Sequence, residues 1–131
     1  MVAILLVVCV SAIPAETDIE GVWLTADGRG LIDIQWVDGF PVGSIVDPSL
    51  PPDLDENNPD PSLRNRPLHG LPILRASSSS GASKWMCTIY NPDNGKVYQC
   101  VLTLVDANTV KLRGYLGISL FGRTQTWTRN P

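Results

Sequence analysis

The chain has 131 residues, enough for one domain around a single core, and carries a net charge of −3. Its 10 Lys and Arg stand against 13 Asp and Glu and form no basic stripe, so nucleic acid, which is held by clustered cations on its phosphates, is set aside as a partner. An apolar content of 44% is ordinary for a globular core, whereas 11 Gly and 11 Pro demand frequent turns.

Residues 1–15, MVAILLVVCVSAIPA, differ in kind from the rest. The apolar run is shorter than the about 20 residues of a membrane-spanning helix and fits the core of a secretory signal peptide. Small residues at Val10-Ser11-Ala12 suit cleavage after Ala12, and Ala15 is the alternative. No Lys or Arg precedes the run, which suggests a start further upstream. The competing reading is a buried N-terminal segment of the mature fold. A lipid anchor at Cys9 is disfavoured because LVVC lacks the small residue such sites want before the cysteine. A signal peptide makes residues 16–131 the mature domain, periplasmic or secreted, with no transmembrane segment. Cys9 then leaves with the signal, and Cys87 and Cys100 remain as a pair in an oxidising compartment.

Residues 18–27 predict a short strand entered through Gly21, and residues 30–37 alternate with Ile32, Ile34 and Trp36 on one face. Asp38-Gly39 is a two-residue hairpin signal, and residues 40–46 are its partner, with Pro41 placing that strand's start at an edge or bulge.

Residues 54–72, LDENNPDPSLRNRPLHGLP, interrupt the strands. Asp60 followed by Pro61 is a helix start, with Asp as cap and Pro at the first helical position, and Pro67 ends it. So short a helix is marginal alone and needs packing, for which Leu63, Leu68 and Leu71 are candidates, laying the segment across a barrel mouth. Asp53, Asp55, Asn57 and Asp60 alternate as in a calcium loop, but the Gly and Glu of such a loop are missing; local backbone capping explains them better, and no metal is expected. Arg64 and Arg66 are the most suggestive charges. Either they hold an anionic head group, or they pair with Asp55, Glu56 or Asp60. His69, the only histidine, lies beside Gly70 in what reads as a solvated loop.

Residues 77–81, four Ser and a Gly, read as a flexible loop. Residues 84–90 and 96–105 are the clearest strand pair, turned by Pro92-Asp93-Asn94-Gly95. If Asn91 faces Lys96, then Cys87 faces Cys100 and Trp85 faces Leu102, all on the inner face. A disulfide there contributes about 3 kcal/mol; two buried thiols are the alternative. Asp106-Ala107-Asn108 suits a hairpin loop into residues 109–117, and residues 118–122 suit a turn. Residues 123–129 form the last strand, with Arg123, Gln125, Trp127 and Arg129 on one face and three Thr on the other. The whole is all-β: a small antiparallel up-and-down barrel with a short helical turn in the 47–72 loop.

Gly21-Val22-Trp23 resembles the G-x-W motif of lipocalins. The resemblance implies that Trp23 closes one barrel end and that Arg129 or Arg123 lies over its ring as a cation–π partner. At a finer level, GVWLT, LDENNPDPSLRNRPLHGLPIL, IYNPDNGKVY and LRGYLGISLFGRTQTWTR, in that order, resemble a bacterial domain-of-unknown-function family, number 2147. That resemblance implies an exported lipocalin-like barrel with no established activity. Val37 and Val42 stand where members often carry a cysteine pair, so Cys87 and Cys100 suggest a substitute staple on another hairpin.

Three function classes follow. No nucleophile–base pair is visible, and one His with no spare mature Cys leaves little room for triad or zinc chemistry, so no enzyme and no cofactor are expected. A small-molecule or lipid-like ligand, anionic or amphipathic, would sit against Arg64, Arg66, Tyr98, Gln125 and Trp127, with Gly43 and Gly114 leaving room. The alternative is a filled barrel that contacts an envelope protein or serves an envelope structure. An open interior of some hundreds of Å³ favours the first and a side-chain-filled one the second.

Overall fold

In a computed structural model, residues 16–28, 30–46, 54–114 and 124–131 are described. They form β1 (Gly21–Leu24), β2 (Leu31–Val37), β3 (Phe40–Ile45), β4 (Pro72–Gly81), β5 (Lys84–Asn91), β6 (Lys96–Asp106), β7 (Thr109–Gly114) and β8 (Thr124–Arg129). Each strand pairs antiparallel with the next, and Trp23 opposite Arg129 joins β1 to β8, so the sheet is a closed up-and-down barrel. Closure removes the free edges of so small a sheet. The signal-peptide expectation for residues 1–15, the site residue Arg123 and the turn at 118–122 lie outside the described residues.

Local chemistry accounts for the turns. Asp38 and Gly39 both have positive φ, 53° and 86°, which a type I′ hairpin requires and which Asp tolerates and Gly prefers. Trp36 then faces Pro41 and Ile34 faces Gly43, so the alternating apolar set of β2 points inward. The Ser-rich stretch 77–81 is the end of β4 and not a loop. Its side chains are exposed, but its backbone pairs with β5 through two register shifts, after Ala76 and after Ser79. Polar composition signals solvent contact, and a strand that projects beyond the core meets that condition while keeping its backbone bonds.

Up-and-down order gathers the β1–β2 connection, residues 54–71 and turn 92–95 at one end, and residues 38–39, 82–83 and 107–108 at the other. The second end is sealed. The Trp23 indole N–H donates to the Ile19 carbonyl at 2.9 Å, in a single helical turn, Glu16–Ile19, that precedes β1. Arg129 lies 4.4 Å over the Trp23 ring and donates to the carbonyls of Ala107 (2.7 Å), Glu20 (2.9 Å) and Asp18. Gly21 is required here: its φ is +132°, and a Cβ would meet Arg129 Nη1 at 2.6 Å.

Among the described residues, side chains fill the interior from the sealed end, with Ile45 and Ile89 partly buried toward the other. Trp23, Ile34, Leu74, Leu102 and Val110 have no accessible surface, and Trp85, Leu112 and Trp127 have at most 2%. A ligand-sized void would leave accessible surface on the side chains that wall it, and these carry essentially none. Gly43 leaves no room either: a Cβ there would sit 2.9 Å from Ile32 Cγ2 and 3.1 Å from Leu74 Cβ.

Cys87 faces Cys100 across β5–β6, with Cα atoms 5.1 Å apart, and their sulfurs are joined. Reduction is expected to lower the unfolding free energy by about 3 kcal/mol, read from urea denaturation with and without reductant. Because both residues are buried, the bond is tested by alkylating the denatured, unreduced protein. Two alkyl groups on Cys87 and Cys100 would refute it.

Candidate functional site

The segment 54–71 is built from its own short-range bonds. Leu54 bridges Pro67, and the Asp55 N–H donates to the Arg66 carbonyl at 3.0 Å, so the segment closes on itself. Asp60 caps the helical turn Pro61–Leu63 by accepting from the Ser62 N–H (3.0 Å) and hydroxyl (2.8 Å). The turn is three residues long, one turn of 3-10 helix. Asn58 accepts from the Asp60 N–H, and Arg64 Nε donates to the Asn58 carbonyl at 2.8 Å. The Asx side chains therefore serve local backbone and ion-pair partners. No metal-binding group of three or more His, Cys, Asp and Glu occurs among the described residues.

A buried carboxylate fastens this segment to the barrel. Asp55 has no accessible surface. It accepts from the Tyr90 hydroxyl at 2.5 Å, Arg66 Nε at 2.8 Å and Asn58 Nδ2 at 2.9 Å. Burial pushes its pKa up, but the hydrogen bonds from Tyr90, Asn58 and Arg66, with the Arg66 charge, outweigh that and hold it below the usual carboxylate value. Burial first, then the hydrogen bond and charge of Asp55, push the Tyr90 phenol up to about 12. Asn57 Nδ2 adds bonds to the carbonyls of Pro92 (3.1 Å) and Asp93 (3.2 Å). Gly95 lets the two pieces meet: its φ is +70°, and any Cβ would run into the Asn57 carbonyl.

Tyr90 follows the inward Ile89 and pairs with Val97, which is 65% exposed, so both face outward. The polar anchors thus hold residues 55–66 against the outer wall at the rim of the β5–β6 hairpin. Of the three leucines expected to pack, only Leu68 is buried, and Leu63 and Leu71 are partly exposed. Between the segment and the outer faces of β4–β6 runs a groove of about 430 Å³. Arg66, Arg75, Tyr90 and Asn58 supply its polar lining, and Pro59, Leu71, Pro72, Gly95 and Val97 the remainder.

The residues named from sequence do not form one site. Arg66 lines the groove and is paired with Asp55, one of the three acids open to it in sequence. Arg64 gives its Nε to the Asn58 carbonyl and does not line the groove. Tyr98 and Trp127 are buried inside the barrel; the Tyr98 hydroxyl accepts from Asn94 Nδ2 at 2.7 Å, and Trp127 Nε1 lies 3.5 Å from Gln125 Oε1. These three face the interior, on the opposite side of the wall from the groove. Arg75 and Tyr90 were missed. Alternation does mark Arg75 as outward, between the inward Leu74 and Ala76, but nothing in the sequence says what it faces.

A closed eight-stranded up-and-down barrel, sealed at one end by a Trp under an Arg, is a lipocalin-like architecture. Residues 21–129 match the model of the family described as "Uncharacterized protein conserved in bacteria (DUF2147)", and the chain belongs to that family. A solved structure, protein HP1028 from Helicobacter pylori, described as belonging to the lipocalin family, is similar with a TM-score of 0.76. The two are 21% identical, and the match covers 90% of this chain and 85% of that one. No curated protein sequence matches the chain. Two of the four sequence blocks that carry the family resemblance, 54–74 and 89–98, are the ones that meet at Asp55, Tyr90 and Gly95.

Proposed function

We propose that this is an exported, non-enzymatic binding protein that takes a small amphipathic ligand in the rim groove and not in the barrel interior. The observation that carries the reading is the groove itself: about 430 Å³, within the size range of small-molecule sites, and lined by both polar and apolar side chains. The lipocalin-like fold supports a ligand-binding role in general, and the filled interior moves the site outward. Export rests on the apolar leader at residues 1–15, and the non-enzymatic reading on the lack of a nucleophile–base pair in the sequence.

A second reading, contact with an envelope protein or a structural role there, is favoured by the same filled interior and by Val97, 65% exposed at the groove. Native mass spectrometry of protein purified from its own cell envelope separates the two. A co-purifying small molecule, lost in Val97→Asp, is the expected result. A specific protein partner with no small molecule would sink the groove as a ligand site.

A further inference from the structure

We infer that the groove takes the head group of an amphipathic anion, gripped by Arg75 and Arg66 together, with Asp55 as the residue that positions Arg66; this rests on the reading of the groove as a ligand site. Both arginines line the groove. Arg75 stands outward on β4, exposed, and among the described residues its guanidinium has no hydrogen-bond or ion-pair partner. Arg66 gives only Nε to Asp55, so among the described residues its two terminal amino groups are uncommitted. A guanidinium held through one nitrogen presents the rest of its donor fork in a fixed direction, the geometry that suits a carboxylate or phosphate.

The charge count is asymmetric. Asp55 offsets one arginine from behind and leaves one net positive charge on the groove wall. Two like charges facing one space repel, and a bound anion relieves that repulsion. Leu71, Pro72 and Val97 offer the neighbouring surface to an apolar chain. The overall charge of −3 does not steer an anion here, so the pair of arginines must supply the attraction locally.

The test uses decanoate and decyl phosphate, with decyl trimethylammonium and a neutral decyl glycoside of the same chain length, all below micelle-forming concentrations. Binding is followed by calorimetry and by amide shifts at Gly95 and Val97. The anions are expected to bind, to move those amides and to weaken with added salt. A preference for one of the two anions separates a free carboxylate source from a phosphate-bearing one, and either supports the site. Arg75→Gln is expected to cut their affinity about tenfold or more with the fold intact. Arg113→Gln, an exposed arginine on β7 outside the groove, is the charge-matched control and is expected to change nothing. Arg66 is not the variant of choice, because its removal leaves buried Asp55 without its cation. Equal binding of all four amphiphiles at the groove would overturn the anion assignment and leave the groove as a ligand site. Anion binding untouched by Arg75→Gln would overturn the role of that residue. No shift at Gly95 or Val97 with any of the four would overturn both this inference and the groove reading.

Discussion

Asp55→Ala is expected to release the 54–71 segment from the barrel and leave the barrel folded. The substitution removes one acceptor from three donors at once: the Tyr90 hydroxyl, Asn58 Nδ2 and Arg66 Nε. Each buried donor left without a partner costs about 1–3 kcal/mol, and breaking a buried ion pair from one side costs about 3–5 kcal/mol. Arg66 is 36% exposed and recovers part of its loss from water, which puts the sum near 3 kcal/mol, at the low end of that range. The barrel closes through its own strand pairs, so once the segment lets go the loss stops growing. Hydrogen exchange should show this as a loss of protection of about a hundredfold at the amides of Asp55, Asn58 and Leu63, with β5 and β6 nearly unchanged. Tyr90→Phe removes only one of the three bonds and should cost less. Unchanged protection of the segment in Asp55→Ala would show that something other than this carboxylate holds it.

The same latch gives the pH dependence a definite sign at each end. The Asp55 pKa is lowered in the folded state. Its contribution is therefore complete above the unfolded value of about 3.9 and is lost as pH falls through the folded value. Tyr90 is shifted the other way, from 10.0 to about 12. The folded state then holds the phenolic proton more tightly, so this contribution is complete below about pH 10 and is lost as pH rises toward 12. Amide exchange of residues 54–71 across both ranges, with tyrosinate absorbance at the alkaline end, checks both signs. Tyr90→Phe should abolish the alkaline limb and shrink the acid one, because the Tyr90 hydrogen bond also helps to hold the Asp55 pKa down.

The barrel was legible because its signals are local. Period-two alternation in residues 31–37, 84–91 and 96–106 and turns such as Asp38-Gly39 are read within a few residues of where they act. Residues 77–81 of β4 were missed because they carry no apolar alternation to mark a strand; their pairing is fixed by β5. The capped turn at Asp60-Pro61 was legible for the same local reason. The groove was not. It collects outward residues from β4, β5 and β6 and one wall from a segment some 20 residues away in sequence from Tyr90. Arg75 between Leu74 and Ala76 looks like any solvent-facing strand residue until the segment is placed beside it. Arg66 had three acids to choose from, and the bridge between Leu54 and Pro67 selects Asp55. The interior stayed open between hollow and filled because alternation says which residues point inward and not how completely they fill the space. Three indoles on β1, β5 and β8 settle that only once the register aligns them.

Trp85→Ala is expected to lower the unfolding free energy by about 3–5 kcal/mol, and its second consequence tests whether the barrel is filled. Trp85 is 1% exposed, pairs with Leu102 across β5–β6 and meets the Trp36 ring edge-on, with centroids 6.0 Å apart at 77°. Deleting the indole from a close-packed apolar interior leaves a dry void, the kind of cavity that binds benzene or indole. The variant should therefore gain thermal stability on addition of indole, in proportion to occupancy, and shift the amides of Leu102 and Trp36. The parent protein should do neither, because the Trp85 indole itself occupies that space. A parent protein that took up indole with shifts at Leu102 would return the ligand site to the interior. Decanoate binding measured on Trp85→Ala completes the argument. The groove lies on the outer side of the wall, so its affinity should survive the loss of the indole, whereas a ligand held inside the barrel would respond to both.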